Sequence, residues 1–274
     1  MKKQTASVIL AAGRGTRMKG FDGNKTLLPL VPHGSPFEGA HPILVHILQS
    51  LPPGPKAVVV HHRKEDVMAL TRPFGLTYCE QERLNGTGGA LLAASPFIAE
   101  VEADHVIVTM GDVPLVNRTT YERITGRLDE SGLVVLAFRP RHKRQYGVLE
   151  IDRDRVARIT EWKYWKDYPP ERQEHLQICN SGIYAASRTQ LMFYLDLLAS
   201  RPHRVHKTIG GELKEVEEFF ITDLVQLMAD DGRRVAFELV SDEKEVMGVD
   251  DIQALVEAQA IFSLQVSGPT SADT

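Results

Sequence analysis

The segment Ser7–Lys25, SVILAAGRGTRMKGFDGNK, constrains the chain more than any other. The apolar run Val8-Ile9-Leu10 reads as a buried strand, and it passes through Ala11 and Ala12 into Gly13 and Gly15. Such a strand delivers its carboxyl end into a loop where backbone can approach a ligand, because glycine lacks a Cβ and tolerates positive φ. Successive backbone N–H groups in a turn of this kind form a concavity for anions. Arg17 and Lys25 add two positive charges to it. The spacing of Gly13, Gly15 and Gly20 matches neither the G-x-G-x-x-G dinucleotide fingerprint nor the G-x-x-x-x-G-K-[ST] phosphate loop. By itself the segment fits either a polyphosphate site or a strand-to-helix turn with a basic rim.

The same pattern repeats through the first half. Apolar, β-rich runs at Val8–Leu10, Ala57–Val60, His105–Met110 and Leu133–Phe138 alternate with helical patterns around Pro42–Leu51, Lys64–Arg72, Gly88–Ala94 and Thr119–Asp129. Runs of nearly continuous apolar character suit strands covered on both faces. The alternation predicts an α/β fold of βαβ units with a mixed, mainly parallel central sheet. In open sheets of that type ligands bind beyond the carboxyl ends of the strands. The glycine loop at 12–20 lies at one such end, and Gly111-Asp112 lies at another.

The second half is more mixed. Gly147–Ile151 and Arg155–Thr160 read as a hairpin around Asp152–Asp154, and Ile183–Ala185 as a short strand. Thr189–Ala199 is an amphipathic helix, Thr222–Asp231 a helix with Thr222 as its N-cap, Arg234–Leu239 a strand, and Asp250–Phe262 a last helix. Residues 162–175, WKYWKDYPPERQEH, read as a loop, either an insertion near the site or a surface excursion. One domain is expected over 1–265, with a donor half to about 130 and an acceptor half after it, followed by a disordered tail at 266–274. No hexapeptide repeat is present.

A formal net charge of −4 argues against a broad nucleic-acid surface, so any basic site must be local. The two cysteines, Cys79 and Cys179, have no metal-ligand spacing and suit a reducing compartment. Gly13-Arg14-Gly15 interrupts the apolar start too early for a signal peptide, and no run reaches the length of a membrane span. A cytoplasmic protein without nucleic-acid or membrane partners is expected; the oligomeric state is left open. His61, His62, His203 and His206 lack a metal-spaced partner, the last two lying in a basic loop. Arg139, Arg141, Lys143 and Arg144 form a basic run that fits a solvated loop or a sugar-phosphate contact.

Metal-dependent chemistry on a nucleoside triphosphate needs phosphate donors, carboxylates for a hard cation, and a pocket for the base. Mg²⁺ takes one or two carboxylates together with phosphate oxygens and water. Asp112, just after a buried strand, is a first candidate ligand, and Asp250, opening the last helix, a second, with Asp251 as its substitute. Each also fits a plain role, Asp112 as a turn residue before Pro114 and Asp250 as a helix cap. A second glycine cluster, Asn85-Gly86-Thr87-Gly88-Gly89, opens a helix and is preceded by Gln81, whose amide suits the edge of a nucleobase.

The order of these motifs resembles the nucleotidyltransferase domain of the sugar-1-phosphate uridylyltransferases. The likeness is greatest to the N-acetylglucosamine-1-phosphate uridylyltransferase half of the bifunctional bacterial enzyme. LAAGRGTRM (10–18), QERLNGTGGA (81–90), TMGDVPL (109–115), YGVLE (146–150), ITEWK (159–163), CNSGIY (179–184), FFITDLVQLMADDGRRV (219–235) and VMGVDD (246–251) carry it, so it spans essentially residues 5–262. The resemblance implies a Rossmann-like, glycosyltransferase-A-like domain with a smaller sugar-binding β subregion. It implies that Leu10, Ala11, Ala12, Gly13 and Gly15 line the nucleotide, that Arg17 and Lys25 neutralise its phosphates, and that Gln81, Gly86 and Thr87 contact uracil. Gly111 would lie beside the ribose and metal, Asp112 and Asp250 would bind Mg²⁺, and Gly147, Glu161 and Asn180 would face the sugar phosphate.

The chain also departs from that pattern. Asp250 stands where the family usually has Asn, Asn24 where Pro precedes the catalytic Lys, and Gly89 where His is common. A longer segment, LVPHGSPFEGAHPIL, follows Lys25, HKTIGGELKEVEE replaces an Asn-rich loop, and the acyltransferase β-helix repeats are absent. These changes bear on the acceptor more than on the reaction. The expected reaction is attack by a sugar 1-phosphate oxygen on the α-phosphorus of UTP, with pyrophosphate leaving. A cytidylyl- or other nucleotidyltransferase with a different phosphate acceptor, and a non-catalytic nucleotide- or sugar-binding module, are the alternatives.

Overall fold

The computed structural model describes residues 3–267 apart from Gly210. Among the described residues thirteen strands form, in chain order β1 (Thr5–Leu10), β2 (Pro29–His33), β3 (Ser35–Pro42), β4 (Lys56–Val60), β5 (Thr77–Glu80), β6 (His105–Met110), β7 (Leu133–Phe138), β8 (Val148–Asp152), β9 (Arg155–Thr160), β10 (Cys179–Ser187), β11 (His203–Ile209), β12 (Glu212–Glu218) and β13 (Val235–Leu239). The central sheet runs β13-β7-β10-β6-β1-β4-β5. All its neighbours are parallel except β10, which is antiparallel to both β6 and β7. The β8–β9 hairpin joins it through Cys179↔Val148. This is the mixed, mainly parallel α/β sheet that the sequence predicts.

Alternate residues of the strands feed two apolar layers, as the two-residue period of a strand requires. Ile9, Val58, Val60 and Ile107 point into one layer, against the helices Ile43–Ser50, Arg118–Gly126 and Ile252–Ser267. Val8, Leu10, Val59 and Val108 point into the other, against Thr87–Ala93, Arg188–Ala199 and Thr222–Asp230. Burial on both faces explains why these strands read as continuous apolar runs. The parallel strands β1, β4, β5 and β6 all end at the same edge, so the loops after Leu10, Glu80 and Met110 share it.

Several local expectations are corrected. Residues 162–175 are not a loop: Trp162–Trp165 and Pro170–His175 are short helices, fastened where buried Trp165 donates its indole N–H to the Tyr146 carbonyl. His203 and His206 lie on β11, not in a loop, and His203 Nε2 meets Asp223 Oδ2 at 2.8 Å. Thr222 is the first residue of its helix rather than its cap. Asp250 does not open the last helix; that helix starts at Ile252 and is capped by Asp251, whose Oδ1 accepts from Ala254 N–H. The helix continues to Ser267, so the first two residues of the expected tail are helical, and 268–274 lie outside the described residues.

Candidate active site

The loop after β1 is shaped by two residues. Gly15 has φ +61°, and a Cβ there would touch the Lys25 side-chain stem at 3.3 Å, so the loop lies directly on that lysine. Asn24, fully buried, ties the approach to Lys25. Its amide donates to the carbonyls of Ala11 (3.3 Å) and His62 (2.9 Å), and its Oδ1 accepts from Thr26 N–H and Thr26 hydroxyl. A proline here could make none of these bonds, so Asn24 is a structural solution of its own to the placing of Lys25.

Lys25 is the hub. Its ammonium contacts Asp112 Oδ2, at the end of β6, and Asp250 Oδ1 at 3.0 Å, while Arg17 reaches the same Asp250 oxygen at 2.7 Å. Burial would lower the Lys25 pKa, but the two carboxylates outweigh it and hold the ammonium above the ordinary lysine range. Gly111 stands behind this cluster: its N–H donates to the Leu10 carbonyl at 2.9 Å, and a Cβ there would crowd that oxygen and Ala11.

The second glycine cluster closes the other end. Gln81 is buried, and its amide N–H groups go to Asn85 Oδ1 (3.0 Å) and the Gly86 carbonyl (3.1 Å). Gln81 also lines the cleft. Phe219 N–H donates to the Asn85 carbonyl and Gly88 N–H to the Phe219 carbonyl, both at 2.8 Å, so the glycine turn is strapped to the segment after β12. Gly89 packs on Asn85, and any side chain there, a histidine included, would displace it.

Leu10, Ala11, Ala12, Gly13, Gly15, Arg17, Lys25, Gln81, Gly86, Thr87, Asp112 and Asp250 thus line one cleft of about 390 Å³. Every donor-side residue singled out in the sequence is there except Gly111, which supports it from behind. Asp251 is not, since it caps the last helix. Gly147, Glu161 and Asn180 gather separately. Asn180 N–H donates to the Gly147 carbonyl at 2.9 Å, and a Cβ on Gly147 would come within 3.5 Å of Glu161 Oε2. Burial raises the Glu161 pKa, with Thr222 hydroxyl, which donates to Oε1 at 3.2 Å, and Lys163 pulling it back. Asn180 is held by Gly182 N–H and donates to Tyr184 hydroxyl at 2.8 Å. The two groups are connected: Thr87 hydroxyl accepts from Ile221 N–H, next to the Thr222 that binds Glu161.

Sequence reasoning missed Lys207 and Glu218, which pair with each other and line the same cleft from the β11–β12 hairpin. The signal was a glycine pair in the sequence between a basic run, HRVHKTI, and a mostly acidic one, ELKEVEE. It also missed Phe220, whose ring lies 5.1 Å from Lys163 Nζ beside the Glu161 group.

Residues 7–188 match the family model described as the MobA-like NTP transferase domain. The bifunctional protein GlmU of Rhodopseudomonas palustris (strain BisB5) is 33% identical over 271 residues, 96% of this chain and 54% of that protein. The chain therefore spans about half the length of the curated relatives it matches. The uridine diphosphate N-acetylglucosamine pyrophosphorylase of Trypanosoma brucei superposes with TM-score 0.72 at 15% identity, covering 99% of this chain and 69% of that one. A Bacillus anthracis protein crystallised with sucrose superposes with TM-score 0.64 at 20% identity over 94% of both chains. At such identities the two superpositions speak for the fold, while the family rests on the sequence matches. The chain belongs to the MobA-like NTP transferase domain family and is homologous to the N-terminal half of the bifunctional GlmU proteins.

Proposed function

We propose that the protein transfers a nucleotidyl group from a nucleoside triphosphate, UTP foremost, to a sugar 1-phosphate, N-acetylglucosamine 1-phosphate foremost, with Mg²⁺ as cofactor. The observation that carries this reading is the convergence of Asp112 and Asp250 on one ammonium, Lys25, in a cleft that also holds the glycine loop and Arg17. Two carboxylates aimed at a single cation fit a divalent metal whose other ligands are phosphate oxygens and water. When bound, Mg²⁺ would supply charge neutralisation at the phosphates.

Lys25 stays protonated at neutral pH and offsets charge at the α-phosphate, while Arg17 and the backbone after Gly13 hold the departing pyrophosphate. The acceptor phosphate oxygen is already an anion. It forms the new P–O bond as the bond to pyrophosphate breaks, and no general base is required. Catalysis is then positioning and electrostatic stabilisation. The acceptor Gln81 Oε1 suits the imino N–H of uracil. Glu161 and Asn180 present a carboxylate and an amide to sugar hydroxyls or an acetamido group. A cytoplasmic setting accords with Cys79 and Cys179, both buried and unpaired, the latter with its thiol pushed up to about 12 by burial.

The test is a panel of four nucleoside triphosphates against several sugar 1-phosphates, read as Mg²⁺-dependent pyrophosphate release. UTP with N-acetylglucosamine 1-phosphate should give the highest kcat/KM. Triphosphate binding without turnover on every acceptor would overturn the reading in favour of a binding module.

A further inference from the structure

Four cations stand in the run Arg139–Arg144, and two are committed to the fold. Arg141 pairs with Glu243 at 3.6 Å, and its backbone N–H donates to the same carboxylate. Lys143 donates to the Gln173 carbonyl and lies 5.0 Å over the Trp165 ring. Arg144 is exposed, makes no ion pair among the described residues, and holds its backbone in the left-handed region at φ 43°. A non-glycine residue in that region is uncommon, and such strain gathers at ligand clamps.

Arg144 lines a second cleft, about 590 Å³, that shares Arg17 and Asp250 with the nucleotide cleft. One wall is the start of the Ile252–Ser267 helix, whose first N–H groups carry partial positive charge. Three carboxylates also border it. Asp250 is bound by Lys25 and Arg17, Asp251 by the Ala254 N–H, and Glu257 stands further along the helix. A triphosphate anchored by its base at Gln81 and its inner phosphates at Lys25 would extend toward Arg17, which lines both clefts. Beyond Arg17 this second cleft gives its last phosphate room.

We infer that Arg144 is the outermost phosphate-binding cation of the site and, together with Arg17, takes the terminal phosphate of the triphosphate in the forward reaction and pyrophosphate in reverse. The inference rests on the nucleotidyl-transfer reading and assigns Arg144 to the donor side of it, not to the sugar phosphate. The competing destination is real, because Tyr146 and Gly147 lead from Arg144 directly to the Glu161 group.

Arg144→Ala and Arg144→Gly are compared with the natural protein; the glycine variant relieves the left-handed strain and guards against a folding defect. Both should melt normally. Both should raise KM for the triphosphate and for pyrophosphate about tenfold or more, the worth of one charge-assisted hydrogen bond. KM for the sugar 1-phosphate and binding of the nucleoside diphosphate, which lacks the last phosphate, should stay within about twofold. A rise confined to the sugar 1-phosphate KM, or unchanged pyrophosphate kinetics, would overturn the assignment while leaving nucleotidyl transfer intact. Calorimetry of magnesium pyrophosphate on the three proteins gives a readout independent of turnover. Absent turnover by the natural protein would sink the functional reading alone, and weakened pyrophosphate binding would still support Arg144.

Discussion

Lys25 and Asp250 are joined at 3.0 Å across 225 residues of chain, and Asp112 holds the same ammonium from the end of β6. The lysine occupies the position toward which both carboxylates point. Lys25→Met should leave Asp112 without its cation and Asp250 with Arg17 alone. That variant should bind Mg²⁺ more tightly in the absence of nucleotide, seen as a larger magnesium-induced rise in Tm than the natural protein shows. Turnover should nevertheless fall by at least about 10², the usual cost of removing one stabilising group. Asp112→Ala should lose as much activity and the magnesium response with it. Near-normal turnover by either variant would contradict the roles given to them.

Glu161 offers a prediction of opposite sign. Its folded pKa is raised, first by burial, so the folded state binds its proton more readily than the unfolded chain does. Above the folded pKa the buried carboxylate is charged and costs stability; below the unfolded value the cost vanishes. Glu161→Gln should therefore be more stable than the natural protein at pH 8, with the difference shrinking as pH falls toward 4. Thermal melts across that range measure it. The same variant should lose acceptor affinity, so stability and KM for the sugar phosphate should rise together.

The donor side was legible because its chemistry is local. Gly13, Arg17 and Lys25 lie in one segment, and Asp112 follows an unmistakable apolar strand. The direction of β10 was not legible. Its apolar pattern is the same whether it enters the sheet parallel or antiparallel, and only the pairing with both β6 and β7 decides it. The hairpin β2–β3 was hidden for a different reason. Its strands pair with each other and are fastened by single contacts such as buried Gln259 donating to the carbonyls of Pro29 and Pro36, and such contacts leave no periodic signal. The choice between Asp250 and Asp251 likewise depended on where the helix starts, and sequence fixes helix ends only to within a residue or two.

Gly86 tests the strap that fixes the base end of the cleft. It has φ +95°, and a Cβ would fall 2.3 Å from the Phe219 carbonyl oxygen, which itself accepts from Gly88 N–H. Neither partner is a flexible side chain, so Gly86→Ala must pull the loop away from the segment after β12. The expected cost is about 2–3 kcal/mol of stability from strain and the broken bond. Triphosphate KM should rise as Gln81 loses its Gly86 partner. Denaturant unfolding and initial rates check the two halves separately, and an unchanged KM would remove Gly86 from the base pocket.

The β2–β3 hairpin and the Ile43–Ser50 helix meet at a histidine pair that packs on the last helix, and that contact should make stability pH-dependent. His41 Nε2 and His46 Nδ1 are 3.0 Å apart, and both rings pack on Phe262 with centroids at 4.9 and 5.0 Å. Burial, then the neighbouring His41, lowers the His46 pKa from 6.5 to about 4. Between those values the unfolded chain binds a proton that the folded one refuses, so stability falls as pH drops through this window and is flat above it. The loss should reach on the order of 2 kcal/mol by pH 4, allowing for partial exposure. The low pKa of Glu150, about 2, acts in a separate window below 4.5, where its ion pairs with Arg158 and Arg172 are lost. His46→Gln should therefore flatten the decline between pH 6.5 and 4.5 without changing the acid limb below it. Urea midpoints at half-unit pH steps separate the two, and an equal slope in the variant and the natural protein would assign the dependence elsewhere.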